Sequence, residues 1–240
     1  VPTRLLGVHV HGSKFFGNSE LGYALHISNG RSPLDFDLSE DKAVGARLFW
    51  SKEGDFGRLV LGASGYVGSY LDQDKTIAPR EGSTFDWTDT IHYNEEVAGI
   101  DAAYDVGDLR LRAEGVLRWI DYKDGHHEKI FSTDGSAQYL PSRVESAAYL
   151  LAAYRTPWRI EPYIEVEYSS KSYTLPRYAG KSRATSANAA AITPSIGFNV
   201  ELTTHTLFKT QFAYINVWDG DFKNTVLTVP SLFIRVVDSF

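Results

Sequence analysis

The chain has 240 residues, 43% hydrophobic and 22% charged, with a formal net charge of −6 spread along its length. No basic stripe offers a nucleic-acid footprint, and the absence of cysteine excludes disulfide frameworks, zinc–thiolate sites and cysteine nucleophiles. No run approaches the roughly 18 apolar residues of a membrane helix, which excludes helical membrane proteins but not a β-barrel, whose strands are apolar only at every second position.

Apolar residues recur with period two along the chain, the signature of strands with two unlike faces. The first segment, Thr3 to Gly12, sets Leu6, Val8 and Val10 against Gly7, His9 and His11, and a turn is expected over Ser13–Asn18. The second, Glu20 to Ser28, sets Leu21, Tyr23, Leu25 and Ile27 against Gly22, Ala24, His26 and Ser28; a polar loop, Asn29–Asp41, follows. The third carries Val44, Ala46, Leu48 and Trp50 against Gly45 and Arg47, with a tight connection at Glu53–Gly57. The fourth runs from Arg58 to Leu71 and leads into a polar loop, Asp72–Asp89.

In the fifth segment Ala98, Ile100, Ala102 and Tyr104 oppose Glu95, Val97, Gly99 and Asp101, and Gly107-Asp108 is a two-residue hairpin signal. The sixth is the clearest: Leu109, Leu111, Ala113, Gly115, Leu117 and Trp119 alternate with Arg110, Arg112, Glu114, Val116, Arg118 and Ile120. After a loop at Asp121–Ser142, the seventh spans Arg143 to Arg155 and includes Glu145. A short connection at Thr156-Pro157 leads to the eighth, in which Trp158, Ile160, Pro162, Ile164, Val166 and Tyr168 oppose Arg159, Glu161, Tyr163, Glu165 and Glu167. The loop Ser169–Ser186 precedes the ninth, Ile192 to Leu202, whose polar side includes Glu201. The tenth is Thr206–Trp218, and the eleventh, Thr225–Phe240, carries Arg235. Pro162, Pro194 and Pro230 fall inside these segments, where proline removes a ladder donor.

Short connections (13–18, 53–57, 107–108, 156–157, 203–205) alternate strictly with longer ones (29–41, 72–89, 121–142, 169–186, 219–224). Outer-membrane barrels have this asymmetry, with short periplasmic turns and long external loops; a Greek-key sandwich has no reason for it. The expected fold is therefore all-β: a transmembrane antiparallel up-and-down β-barrel contributing about eleven strands over residues 1–240. Single-chain bacterial barrels have even strand counts, so an odd count predicts at least one strand upstream of Val1. Neither Val1 nor the residues after it form a signal peptide, and the chain is expected to be the C-terminal portion of a longer barrel.

Alternation of Leu232, Ile234 and Val236 up to a terminal Phe240 resembles the C-terminal signal by which barrel-assembly machinery recognises bacterial outer-membrane proteins; Asp238 departs from it. The segments Leu5–Gly12, Tyr23–Arg31 and Asp41–Leu48 resemble a porin-like family related to the phosphate-selective porins O and P. The resemblance covers about a third of the chain. It implies a barrel of roughly sixteen strands in the outer membrane, in contact with lipid and lipopolysaccharide, and a trimer is one possible assembly. It does not imply phosphate, because no lysine ladder is present.

The expected function is passive diffusion of small hydrophilic solutes or ions through a charged lumen. Its candidate lining is Arg47, Arg110, Arg112, Glu114, Arg118, Arg143, Glu145, Arg159, Glu161, Glu165, Glu201 and Arg235. Charged rings shape selectivity in pores, although the same residues could form a salt-bridge network. His9, His11 and His26 are read as polar filling rather than metal ligands, and no metal or cofactor is expected. Ser64, Ser146 and Ser195 lie on strands without a Gly-x-Ser-x-Gly elbow, so no catalytic site is expected. Two alternatives stay open: a barrel that sheathes a periplasmic or redox partner, and a soluble β-sandwich binding module.

Overall fold

A computed structural model describes residues 7–29, 42–77, 87–123, 129–131, 137–139, 142–171, 189–203, 206–218 and 225–238. The strands are β1 (Gly7–Phe16), β2 (Ser19–Asn29), β3 (Lys42–Gly54), β4 (Gly57–Ile77), β5 (Trp87–Val106), β6 (Leu109–Tyr122), β7 (Lys129–Phe131), β8 (Ala137–Tyr139), β9 (Arg143–Tyr154), β10 (Ile160–Lys171), β11 (Ala189–Glu201), β12 (Thr206–Trp218) and β13 (Thr225–Asp238). Eleven of them form one sheet in the order β1-β2-β3-β4-β5-β6-β9-β10-β11-β12-β13, and β7 and β8 pair as a separate hairpin. Every neighbour in the large sheet is antiparallel. A β-sandwich needs two packed sheets; with all the long strands in one sheet, that alternative is overturned.

Among the described residues β1 and β13 are the sheet's two edges. Eleven antiparallel strands in sequence leave β1 and β13 running the same way, so the two edges cannot pair with each other antiparallel.

The hairpin turns sit where the sequence punctuates the alternation. Gly17 (φ 58°) and Gly107 (φ 54°) take left-handed conformations in two-residue connections, and Gly57 (φ 102°) begins β4 after a third. Only glycine enters this region without steric penalty. The turn between β9 and β10 is built differently. Thr156 N–H and Oγ1 both donate to the Ile160 carbonyl, at 2.9 and 2.7 Å, and Arg159 adopts φ 61°. This turn takes in Trp158 and Arg159, so β10 starts at Ile160 and Arg159 lies in an exposed turn, not on the strand wall expected for it.

Strands also outrun the expected boundaries. β1 continues to Phe16 through the expected turn, and β4 and β5 extend into the expected 72–89 loop, with a register irregularity between Asp72 and Lys75. The sequence from Asp72 to Thr76 is polar at every position, so alternation ends before strand pairing does. The expected 121–142 loop holds the β7–β8 hairpin.

The three prolines lie where one neighbour's ladder is missing. Pro162 pairs with Phe198, while pairing with β9 begins only at Tyr163. Pro194 pairs with Val166, and the β11–β12 register skips from Ile192 to Ser195. Pro230 is on the edge strand β13. No ladder bond is lost where none is made.

Candidate functional site: a two-faced wall

Cross-strand register decides which side chains share a face, because a one-residue slip would exchange the two faces. Here one register holds through the central part of every strand pair, with shifts only at Asp72/Lys75 and Val217/Trp218, toward the long connections. Starting from His9, the same-face partners run His9↔His26, His26↔Gly45, Arg47↔Ser64, Ser64↔Gly99, Asp101↔Glu114, Glu114↔Tyr149, Tyr149↔Glu167, Glu165↔Ser195, Ser195↔Ala213 and Lys209↔Arg235. Eleven of the twelve expected lining residues lie on this polar face: Arg47, Arg110, Arg112, Glu114, Arg118, Arg143, Glu145, Glu161, Glu165, Glu201 and Arg235. Arg159 is the exception.

The other face is apolar and uncovered. Ile100 is 69% exposed, Leu150 66%, Ile196 60% and Ile234 64%. Contiguous exposed apolar patches on soluble monomers rarely exceed a few hundred Å²; this one extends over eleven strands. On β6 it runs from Leu109 to Trp119, about ten steps of ~3.4 Å, and at a tilt of about 45° that is roughly 24 Å, matching the ~25 Å apolar band of outer-membrane barrels. Aromatic side chains flank it. Trp50, Tyr104, Tyr154 and Phe208 lie toward the short turns, and Trp119, Tyr168 and Trp218 toward the long connections.

The polar face is laced together across strands. Arg47 Nη2 meets Asp101 Oδ2 at 2.7 Å, passing over β4, where Gly62 and Ser64 leave room. Arg110 reaches Glu161 at 2.8 Å across Ala153 of β9. Arg112 grips Asp105 with two nitrogens, at 2.7 and 3.0 Å. Gln211 donates to Ser195 Oγ at 2.9 Å and to Glu165 at 3.4 Å. Where the partners sit on non-adjacent strands, as in Arg47–Asp101, Arg110–Glu161 and Gln211–Glu165, the residues of the strand between them are small, which lets long side chains meet.

Toward the long connections the network closes up. Arg118 bonds Glu95 at 2.8 Å, Glu145 at 3.2 Å and the Tyr93 hydroxyl at 2.7 Å. Arg143 bonds Glu145 and the Tyr122 hydroxyl, both at 2.9 Å. Tyr70 stacks on Tyr93 with centroids 4.9 Å apart, and Tyr93 meets Tyr122 edge-on at 5.3 Å. These tyrosines pack with Ile91 and Ile120 as a buried cluster. The sequence reading found Arg118, Arg143 and Glu145 but missed Tyr93 and Tyr122; their position on the charged side of an alternating strand was the available signal.

Several rings lie flat against the wall because the residue opposite is glycine. Phe49 covers Gly22, His26 covers Gly45 and Tyr163 covers Gly197; a Cβ at any of the three would overlap the ring. His26 also stacks on Tyr66, and the His9 and His11 rings lie 5.3 Å apart. Among the described residues no group of His, Asp and Glu is arranged to hold a metal ion.

Leu232, Ile234 and Val236 point to the apolar face of β13, opposite Phe212, Thr210 and Phe208. Phe240 lies outside the described residues.

No family model and no curated protein matches the chain. Among solved structures, it is similar to in-vitro folded OmpT, an outer membrane protein of Vibrio cholerae, with TM-score 0.52 and 10% identity over 93% of this chain and 59% of that one. It is likewise similar to outer-membrane expressed OmpT of Vibrio cholerae, with TM-score 0.50 and 10% identity over 89% of this chain and 61% of that one. The chain thus spans about three fifths of the length of these structures. At this identity the likeness concerns the fold alone: eleven antiparallel up-and-down strands in one sheet, as in part of the wall of an outer-membrane β-barrel. The resemblance to phosphate-selective porins O and P finds no support in these comparisons.

Proposed function

We propose that the sheet is part of the wall of a porin-like channel in a bacterial outer membrane, through which small hydrophilic solutes or ions diffuse. The observation that carries this reading is the consistent register of eleven strands, which puts the arginines and carboxylates on one face and an uncovered apolar band on the other. A polar lumen and an apolar lipid face are what a water-filled barrel requires, and closure is what removes unpaired strand edges from lipid. Because β1 and β13 run the same way, antiparallel closure takes an odd number of further strands, in keeping with part of a longer, roughly sixteen-stranded barrel. Arg47, Arg110, Arg112, Glu114, Arg118, Arg143, Glu145, Glu161, Glu165, Glu201 and Arg235 then line the lumen. Lipid and lipopolysaccharide cover the apolar band, and Leu232, Ile234, Val236 and Phe240 serve barrel assembly.

The rings held flat over Gly22, Gly45 and Gly197 support an open passage more than a sheathed partner, since they thin the wall on its polar side. The test is conductance of the full-length protein in planar bilayers. Stepwise, ohmic current across simple salts is expected, and silence in every salt would leave the sheathing scaffold as the better reading.

A further inference from the structure

We infer that the pore favours cations, and that Glu114, Glu165 and Glu167 at mid-height of the polar face set this preference; the inference rests on the channel reading above and names its solute class. Charge on the wall divides into paired and unpaired. The arginines of β3, β6 and β9 are all engaged: Arg47 with Asp101, Arg110 with Glu161, Arg112 with Asp105, Arg118 with Glu95 and Glu145, and Arg143 with Glu145. A close ion pair presents a passing ion with a dipole, whose field falls off faster than that of a single charge.

No salt bridge from the described residues reaches Glu114, Glu165 or Glu167. Register gathers them. Glu114 is opposite Tyr149, Tyr149 is opposite Glu167, and Glu165 is the neighbouring same-face position on β10. All three belong to the central part of their strands, so a solute crossing the band passes them.

Three cations on the strands' polar face must be set against them, the first being Arg58, which lies at the start of β4 opposite Glu53, beside a short turn. Lys209 and Arg235 lie directly opposite one another on β12 and β13, also without a salt bridge, but nearer the short turns. Glu20 and Glu201 stand at that same end and offset them. The middle of the described wall is left with uncompensated negative charge, of the same sign as the whole chain. Low-dielectric walls focus such a field into the lumen, and rings of acidic side chains favour cations in pores.

The experiment is the reversal potential of the full-length protein in planar bilayers under a KCl gradient. The native protein is expected to reverse on the side that marks K⁺ as the more permeant ion, less strongly as salt rises and screening shortens. The triple variant Glu114→Gln, Glu165→Gln, Glu167→Gln is expected to lose most of that preference. The double variant Lys209→Gln, Arg235→Gln is expected to strengthen it, and a shift in that direction cannot come from misassembly. Should the triple variant not assemble, Glu114→Gln alone is expected to show a partial loss. A Cl⁻ preference in the native channel, or an undiminished K⁺ preference in the glutamine variants, overturns the inference. Absence of any conductance overturns the channel reading instead.

Discussion

Arg118 is bonded twice to Glu95, through Nε at 2.9 Å and Nη2 at 2.8 Å, and the Glu95 side chain is only 2% exposed. The pair sits beside the Tyr93–Tyr122 cluster, at the end of the wall nearest the long connections. Removing one member leaves the other charge buried, a loss of about 3–5 kcal/mol for fully buried pairs. Arg118 keeps a quarter of its side chain exposed, so the low end of that range applies. Arg118→Ala is expected to cost about 3 kcal/mol in urea unfolding from detergent or lipid, and adding Glu95→Ala is expected to recover part of it. Additive losses in the double-mutant cycle would mean that the two side chains do not act as a pair.

Phe49 lies flat because Gly22 opposite has no Cβ. Gly22→Leu is expected to lift the ring off the wall into the proposed lumen and lower single-channel conductance. Gly17→Asn, in the turn just before, serves as the control, because Gly17 has open space around it and asparagine tolerates its φ of 58°. Equal conductance in the two variants would show that the ring does not border the passage.

Ile100 is among the most exposed residues of β5, and in a soluble protein a charge there would be harmless. If that face meets lipid, Ile100→Arg is expected to cost about 2–4 kcal/mol. Val97→Arg, on the opposite face of the same strand, is expected to cost far less. Comparable costs, measured by reversible unfolding into urea with phospholipid vesicles, would remove the distinction between the faces.

Leu232, Ile234 and Val236 share the apolar face of the edge strand. If they and Phe240 act as an assembly signal, deleting Phe240 or replacing Ile234 with Gln should reduce the heat-modifiable, membrane-inserted form recovered from cells. Normal yields of both variants would make the resemblance to that signal incidental.

Much of the fold was legible in the sequence because every strand of the sheet follows one rule, apolar side chains on one face and polar ones on the other. Leu109 to Trp119 could be read position by position, and the unbroken register of β6 with β5 and β9 keeps the two sets on opposite faces. The Gly107-Asp108 turn was legible for the same local reason. Boundaries were lost where the rule stops applying. Past Leu71 the sequence turns polar while pairing with β5 continues, so residues 72–77 of β4 read as loop. Arg159 was misplaced because alternation continues numerically through Trp158 and Ile160, whereas Thr156 closes a turn by hydrogen bonds that periodicity does not register. The charged residues of the wall were visible individually, but their partners were not: Arg110 meets Glu161 across a third strand, which only the order and register of the sheet determine.

The central claim is that the two faces of this sheet meet different solvents, and the absence of cysteine from these 240 residues helps to make it directly measurable. Single cysteines placed in turn along β6, from Leu109 to Trp119, can be spin-labelled and reconstituted in lipid vesicles. Labels at 109, 111, 113, 115, 117 and 119 should collide with oxygen dissolved in the bilayer, and labels at 110, 112, 114, 116 and 118 with a water-soluble nickel chelate. Uniform accessibility to the aqueous reagent at both sets of positions would contradict the account.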